Sequence, residues 1–160
     1  MADLLVRLYA LPPLEPALEA AGAAGITVRR AAAAERSAVV EWVRSHGSPG
    51  WASECEVAFA RQPIGCFVAV DGAGKGRLAG VSCYEATGRG FFGPELVHRD
   101  HRGKGAGRAL LLSALHAMHA EGYGYAIVGW ADSIDFYKRT VGAVVIEGSD
   151  PGIYPAKLLR

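Results

Sequence analysis

The residues best suited to chemistry form a run of alternating glycines, Arg102-Gly103-Lys104-Gly105-Ala106-Gly107. The run lies between an apolar stretch that predicts a strand and an amphipathic stretch that predicts a helix. Glycines let the backbone turn tightly and approach a ligand without a Cβ in the way. A helix N-terminus adds unpaired N–H groups and positive potential. Together with the basic side chains of Arg102, Lys104 and Arg108, residues 102–108 predict an anion site suited to a phosphate or pyrophosphate, which we call the glycine cradle.

Two familiar phosphate-binding loops do not fit this run. The pair Gly103-Lys104 is followed by glycine and not by Ser or Thr, so the P-loop spacing is not matched. The glycines are spaced G-x-G-x-G, whereas the dinucleotide fingerprint requires G-x-G-x-x-G. The remaining alternative is an ordinary glycine-rich turn that precedes a helix.

Hydrophobic periodicity predicts the elements that position the cradle. The pair Ser48-Pro49 predicts a helix N-cap and first helical residue. Gly93-Pro94 interrupts the strand before the cradle and predicts a bulge or splayed edge, because proline cannot donate to a ladder. The predicted helices are 15–24, 33–45, 51–61, 105–121 and 133–140, and the predicted strands are 4–9, 26–30, 65–71, 78–85, 90–97, 125–130, 144–146 and 153–158. A hairpin over 72–76 joins two of these strands. This order predicts a mixed α/β fold.

The cradle matches the R-x-x-G-x-G motif of the GNAT N-acetyltransferase superfamily, and the chain resembles that superfamily at further positions. These are Gly93-Pro94, Val97, Ala109-Leu110-Leu111 and Phe136-Tyr137-Lys138 before Gly142. By element order the resemblance spans residues 68–146. It implies an α/β (α+β) fold with a mostly antiparallel central sheet flanked by helices on both faces. It also implies one domain over residues 1–160, in which residues 1–24 are an N-terminal extension that contributes a strand.

The resemblance implies that acetyl-CoA donates an acetyl group directly to an amine of a small molecule or protein. Backbone amides of the cradle would hold the pyrophosphate of CoA, and the strand ending at Leu96-Val97 would pair with its pantetheine arm. A backbone N–H of that strand would bind the thioester oxygen. The implied cofactor-binding residues are Leu96, Val97, Arg102, Gly103, Lys104, Gly105, Ala106, Gly107 and Arg108. A non-catalytic acyl-CoA sensor on the same fold is the alternative function.

Two proton transfers accompany such a reaction. Tyr137 matches the position that often serves as the acid in the superfamily; the alternative is an aromatic ring that only contacts the cofactor sulfur. The base stays open among four carboxyl groups, Glu54, Glu56, Glu85 and Glu95. The alternatives for each are that it binds a cationic acceptor or is a solvated surface acid. Glu95 lies on the central strand, where an unpaired buried carboxylate is costly, and this favours a role for it.

The acceptor-binding residues predicted from the resemblance are Trp51, Glu54 and Glu85. Trp51 shares a helical register with Cys55 and Phe59, and this register favours a core position for its ring. The chain departs from the superfamily pattern at Arg99, where proline is usual, at Glu95, where an apolar residue is usual, and at Trp130, where asparagine is common. It also has one extra residue between Tyr137 and Gly142.

Composition excludes several classes of function. The chain of 160 residues carries 17 basic and 16 acidic residues with a net charge of +1, and no basic block predicts nucleic-acid binding. No apolar run reaches the ~20 residues that span a bilayer. Three cysteines in separate apolar runs, Cys55, Cys66 and Cys83, favour a reduced cytoplasmic protein without a metal site. A homodimer stays open, because residues 4–9 and the C-terminal strands can pair within the chain or with a second copy.

Overall fold

A computed structural model describes residues 1–72 and 76–154, which form one seven-stranded sheet with helices on both faces. The strands are β1 (Leu4–Arg7), β2 (Ile26–Arg30), β3 (Cys66–Asp71), β4 (Arg77–Tyr84), β5 (Phe91–Val97), β6 (Tyr125–Val128) and β7 (Val144–Val145). The helices are α1 (Leu14–Ala23), α2 (Arg36–His46), α3 (Pro49–Ala60), α4 (Ala106–Ala120) and α5 (Ile134–Val141). The strand order is β2-β3-β4-β5-β6-β1-β7, and only β5 and β6 pair in parallel. This confirms the predicted mixed fold.

The sheet separates two apolar cores. On one face, α2 and α3 pack Val39, Val43 and Phe59 against β3 and β4. On the other face, α1, α4 and α5 share a larger core with the central strands. Both cores form because each helix has an apolar stripe that must be buried against the sheet.

Helix α4 lies directly against the middle of the sheet. Leu110, Leu111 and Leu115 are fully buried, as their spacing along the helix predicts. A Cβ at Gly80 would lie 2.9 Å from the Leu110 Cδ1 atom and 2.9 Å from the Leu96 carbonyl oxygen. Glycine at position 80 therefore allows α4 to pack closely against β4. This packing positions the N-terminus of α4 next to the end of β5.

The N-terminal strand lies inside the sheet, between β6 and β7. Leu4 and Val6 are fully buried there, and Leu4 is the register partner of Val128 on one side and of Val145 on the other. This strand holds β6 in place from the side that faces away from β5. No helix in the described part of the chain is long and apolar enough to cross a membrane.

Four predicted elements differ from the observed ones. The strand predicted over 4–9 ends at Arg7, and Leu8–Ala10 forms a 3-10 turn. The helix predicted over 33–45 begins as a 3-10 turn, Ala33–Glu35, because the Glu35 carboxylate accepts the Ala32 N–H at 2.7 Å. The strand predicted over 125–130 ends at Val128, since Trp130 has a φ of 46° and turns the chain away. In the strand predicted over 153–158, residues 153–154 are not extended in the sheet, and the rest lies outside the described residues, as does the turn 73–75 of the predicted hairpin.

We expect Leu110→Ala to lower the free energy of unfolding by about 2–5 kcal/mol, because it leaves a cavity between α4 and β4. Val57→Ala is the control, since the Val57 side chain is 50% exposed on α3; its change should be within about 0.5 kcal/mol. Urea denaturation of both variants measures the difference. Equal losses for the two variants would contradict the packing described here.

Candidate active site

The parallel pair β5 and β6 opens into a cleft. β5 pairs with β4 as far as Val97, but it pairs with β6 only at Phe91 and Phe92. The strands separate at Gly93-Pro94, where the proline cannot donate and the β4–β5 register shifts. The predicted splayed edge is therefore present, and it leaves one side of β5 without a strand partner from residue 93 onward.

The register decides which backbone groups of β5 face the cleft. The His98 N–H donates to the Ala79 carbonyl of β4 at 2.8 Å. Because backbone groups alternate sides along a strand, the N–H and C=O of Leu96 also face β4. Those of Glu95 and Val97 then face the cleft. Of the two strand residues predicted to bind the cofactor, only Val97 thus presents its backbone to the open side.

The glycine cradle begins where β5 ends. A 3-10 turn, Arg99–His101, follows the strand, and α4 then starts at Ala106 with Gly105 as its N-cap. Gly103 and Gly105 have φ values of 75° and 83°, a region that favours glycine. No atom lies within 4 Å of a Cβ built on Gly103, so this part of the cradle is open to solvent.

Basic side chains surround the cradle, as the sequence predicts. Arg102, Lys104 and Arg108 are exposed, and the Arg102 side chain lines a groove of about 450 Å³ together with Leu96 and Val97. The first N–H groups of α4, from Ala106 and Gly107 onward, have no partner within the helix. The cradle and the open edge of β5 therefore form one continuous surface with positive potential at its outer end.

A central cavity of about 210 Å³ lies where β5 and β6 separate. Carboxyl and aromatic side chains dominate its lining. They are Glu54, Glu95, Asp132, Trp51, Phe92, Trp130, Tyr137 and Tyr154. The structure thus brings Tyr137, Glu95, Glu54 and Trp51, all predicted from the sequence, to one cavity.

Glu95 and Tyr137 form a buried pair at the inner end of this cavity. The Tyr137 hydroxyl donates to the Glu95 Oε2 atom at 3.3 Å, while Glu95 Oε1 is buried without a partner. Burial, together with the nearby charge of Asp132, raises the pKa of Glu95 to about 8, against the hydrogen bond from Tyr137 that lowers it. Burial and the charges of Glu95 and Asp132 raise the pKa of Tyr137 above its usual value. At neutral pH both groups carry their protons.

Glu54 and Trp51 lie on α3, at the other end of the cavity. Burial raises the pKa of Glu54, and a hydrogen bond from Thr87 lowers it. The Trp51 ring is 37% exposed and lines the cavity, so its predicted core position is wrong even though Cys55 and Phe59 in the same register are buried. Glu56 is exposed and does not line the cavity.

Glu85 does not reach the cavity. Its backbone has a φ of 59°, and its carboxylate is occupied by the loop before β5. Oε1 accepts the Gly90 N–H, and Oε2 accepts the Tyr123 hydroxyl at 2.7 Å. This carboxylate stabilises the turn into β5, and the acceptor role predicted for it has no geometric support.

Four of the carboxyl and aromatic cavity residues were missed from the sequence: Phe92, Trp130, Asp132 and Tyr154. Trp130 and Asp132 directly follow β6, at the carboxyl end of one of the two parallel strands. Side chains at the carboxyl ends of parallel strands commonly line ligand sites, and this rule was the available signal. No pattern in the sequence indicates Tyr154, because its ring lies at the cavity through packing on the Trp130 ring. The two ring centroids are 4.3 Å apart.

The three cysteines converge although the sequence separates them. The Sγ atoms of Cys55, Cys66 and Cys83 lie within 4.8 Å of one another, the one such group of metal-ligating side chains among residues 1–72 and 76–154. All three are fully buried in the core between α3 and the sheet. Cys66 and Cys83 are register partners on adjacent strands, which sequence spacing alone does not reveal.

A mostly antiparallel sheet with one splayed parallel pair and a glycine cradle at the adjoining helix is the arrangement that the resemblance to the GNAT superfamily implies. The model of the Acetyltransferase (GNAT) family matches residues 32–143, which is more than half of the chain. The protein therefore belongs to this family, and the resemblance found in the sequence is confirmed. No curated protein matches the chain.

Solved structures with the same fold are distant in sequence. One is a GCN5-related glucosamine N-acetyltransferase region of a fungal multi-domain GH3 β-N-acetylglucosaminidase, with a TM-score of 0.72, 16% identity, and coverage of 91% of this chain and 19% of that one. A GCN5-related N-acetyltransferase from Sphaerobacter thermophilus has a TM-score of 0.67, 22% identity, and coverage of 91% and 48%. A tandem GNAT protein from the clavulanic acid biosynthesis pathway has a TM-score of 0.56, 20% identity, and coverage of 90% and 49%. The chain spans less than half the length of each, and the likeness shows the fold alone.

We expect Glu95→Gln to become increasingly stabilising, relative to the wild type, as the pH rises from about 5 to about 8. In the unfolded chain Glu95 ionises near its usual pKa of 4.5, whereas in the folded chain it holds its proton up to about 8. The folded wild type therefore binds the extra proton and loses stability with rising pH, by up to about 1.4 kcal/mol per pH unit. The glutamine variant lacks this dependence.

Denaturant unfolding at four pH values across this range measures the effect. Glu56→Gln controls for the loss of one charge, because the Glu56 side chain is exposed. A constant difference between Glu95→Gln and the wild type from pH 5 to pH 8 would show that Glu95 is ionised in the folded protein.

Proposed function

We propose that the protein is an N-acetyltransferase that transfers an acetyl group from acetyl-CoA directly to an amine of a small molecule or protein. The observation that carries this proposal is the open edge of β5, which leads without interruption from the glycine cradle to Tyr137. The cytoplasmic location predicted from the sequence stays a prediction.

The residues of the cleft fit acetyl-CoA. A diphosphate requires converging N–H donors and positive charge, and the cradle offers both at the start of α4. The pantetheine arm carries amide groups that pair with strand backbone, and the groups of Glu95 and Val97 are free for this on the open edge. Acetyl-CoA supplies the acetyl group as an activated thioester when it is bound.

The first contribution of the protein is to position backbone N–H donors along β5. N–H groups on the open edge of β5 are held rigidly by the pairing of β5 with β4. Preorganised donors of this kind stabilise negative charge that develops on a carbonyl oxygen, and they need no reorganisation during the reaction. Val97, whose N–H faces the cleft, is the residue of β5 to which we assign contact with the cofactor.

The Tyr137–Glu95 pair carries out the proton transfers. The transfer forms a C–N bond and breaks the thioester C–S bond, so the amine loses one proton and the thiolate gains one. The Tyr137 hydroxyl delivers a proton to the leaving group, and the Glu95 carboxyl, 3.3 Å away, restores it to the phenol. The resulting Glu95 carboxylate then takes up the proton that the amine releases. The pair returns to its starting state without an external acid.

We expect Gly105→Val to abolish detectable binding of CoA in calorimetry at millimolar ligand. The substitution places a β-branched side chain at a φ of 83° at the start of the cradle and so distorts the amides that converge there. Gly122→Val is the matched control, because Gly122 has a φ of 103° after the other end of α4 and no neighbour within 4 Å of a built Cβ.

Both variants should lose stability through backbone strain, and only the first should lose CoA binding. Thermal denaturation with and without CoA confirms that each variant is folded at the temperature of the titration. CoA binding that survives in Gly105→Val would exclude the cradle as the diphosphate site.

We expect Tyr137→Phe to lower kcat by about tenfold or more, with little change in the affinity for CoA, because it removes the proton donor and keeps the ring. Tyr9→Phe is the control, since Tyr9 is exposed and its hydroxyl contacts only Tyr125 among the described residues. Thiol release from acetyl-CoA measures turnover. An unchanged kcat in Tyr137→Phe would show that Tyr137 only packs against the cofactor. If the wild type binds CoA but acetylates no amine, the non-catalytic sensor is favoured.

A further inference from the structure

The lining of the central cavity has an unusual charge composition. None of the described residues that line it is Lys, Arg or His, although the chain carries 17 basic residues. Met1 also lines the cavity, and its ammonium is paired with the Asp150 carboxylate at 2.9 Å. Of the three carboxyl groups that line the cavity, none forms an ion pair with a described residue. Because Glu95 is protonated at neutral pH, an acceptor that enters the cavity meets the negative charges of Asp132 and Glu54.

The carboxyl groups lie at two separate ends. Asp132 is close enough to Glu95 and Tyr137 for its charge to raise the pKa of both. Glu54 is instead close to Tyr154, whose pKa rises to about 12 through burial and through the charges of Asp3 and Glu54. Glu95 and Tyr137 belong to the face of the sheet that packs α4 and α5, whereas Glu54 comes from α3 on the opposite face. The cavity thus passes through the sheet between two acidic ends.

Aromatic faces form the wall between these ends. The Trp130 ring contacts the Tyr154 ring at a centroid distance of 4.3 Å, and its indole N–H donates to the Pro151 carbonyl at 2.8 Å. The Trp130 and Tyr154 rings both line the cavity. The Asp3 carboxylate accepts the Trp130 N–H at 2.9 Å and so holds its backbone at a φ of 46°. Gly129 accommodates the Tyr154 hydroxyl in space that any Cβ would fill.

A wall of this kind suits an alkyl chain with cationic ends. Aromatic faces attract ammonium groups and pack against methylene groups, while they offer no hydrogen bonds to a sugar or a carboxylate. The volume of about 210 Å³ admits only a small molecule or the end of a longer chain. At the inner end, Glu95 and Tyr137 line the cavity as the hydrogen-bonded pair to which the proton transfers are assigned.

We propose that the acceptor is a small aliphatic diamine, whose uncharged amino group is acetylated beside Glu95 while its second amino group, still protonated, is bound by Glu54. This inference rests on the proposed function and names its substrate class. One amino group at the inner end loses its proton to react. The other stays charged at the α3 end, where the Glu54 carboxylate and the aromatic faces stabilise it.

The test compares 1,4-diaminobutane with 1-aminobutane, which has the same carbon chain and one amino group fewer. We expect kcat/KM with acetyl-CoA to be about tenfold to a hundredfold higher for the diamine, beyond the statistical advantage of two equivalent ends, because a charge-assisted hydrogen bond is lost in the monoamine. Glu54→Gln should remove most of this ratio. Glu56→Gln, on the same helix and outside the cavity, should keep it.

A ratio near the statistical value in the wild type, or a ratio that Glu54→Gln leaves intact, overturns the inference. Calorimetric titration of 1,4-diaminobutane into the free protein tests diamine binding separately from acetyl transfer. It therefore distinguishes failure of this inference from failure of the proposed function. If acetyl-CoA does not bind, the proposed function fails. Diamine binding that Glu54→Gln weakens and Glu56→Gln does not would still support the acidic, aromatic site, and absence of diamine binding in the wild type would refute it.

Discussion

Unequal hydrogen bonding along the two sides of β5 is the constraint on which the rest of the site depends. A buried backbone amide without a partner is costly, so an internal strand with an open side persists only if something else holds its neighbours apart. Here β4 fixes one side of β5, and β1 fixes β6 from beyond through the pairing of Leu4 with Val128. Gly93-Pro94 marks the point where the two anchored strands diverge. The cleft is therefore a property of the whole sheet, including its N-terminal strand.

The position of the cleft also explains why donor and acceptor chemistry meet there. The two cores lie on opposite faces of the sheet, and the gap between β5 and β6 connects these faces. On one face, α4 begins at the cradle and α5 presents Tyr137. On the other face, α3 presents Glu54 and Trp51. A ligand on each face can then contact the other through the opening, without either one crossing a packed core.

Sequence patterns predicted the parts of this arrangement that are local. The apolar stripe of α4, the Ser48 cap and the interruption at Gly93-Pro94 all depend on residues within a few positions of one another. The core position that its register with Cys55 favours for Trp51 is wrong, because the helical stripe runs past the edge of the core and into the cavity. Tyr154 and Glu85 depend on contacts with residues far away in the chain, and no spacing in the sequence reports such contacts.

Glu95 lies between the cradle, which favours a bound anion, and the cavity, which favours a bound cation. The neutral, protonated state of Glu95 is compatible with both. The cradle attracts anions, and Glu95 Oε1 lies 3.7 Å from a Cβ built on Gly107, under the first turn of α4. An ionised carboxylate there would repel a bound diphosphate and would add to the charge of Asp132. Burial keeps the carboxyl neutral at pH 7, since its pKa is about 8. A glutamate at a position where an apolar residue is usual is thus compatible with anion binding, and it still provides a proton where Tyr137 needs one.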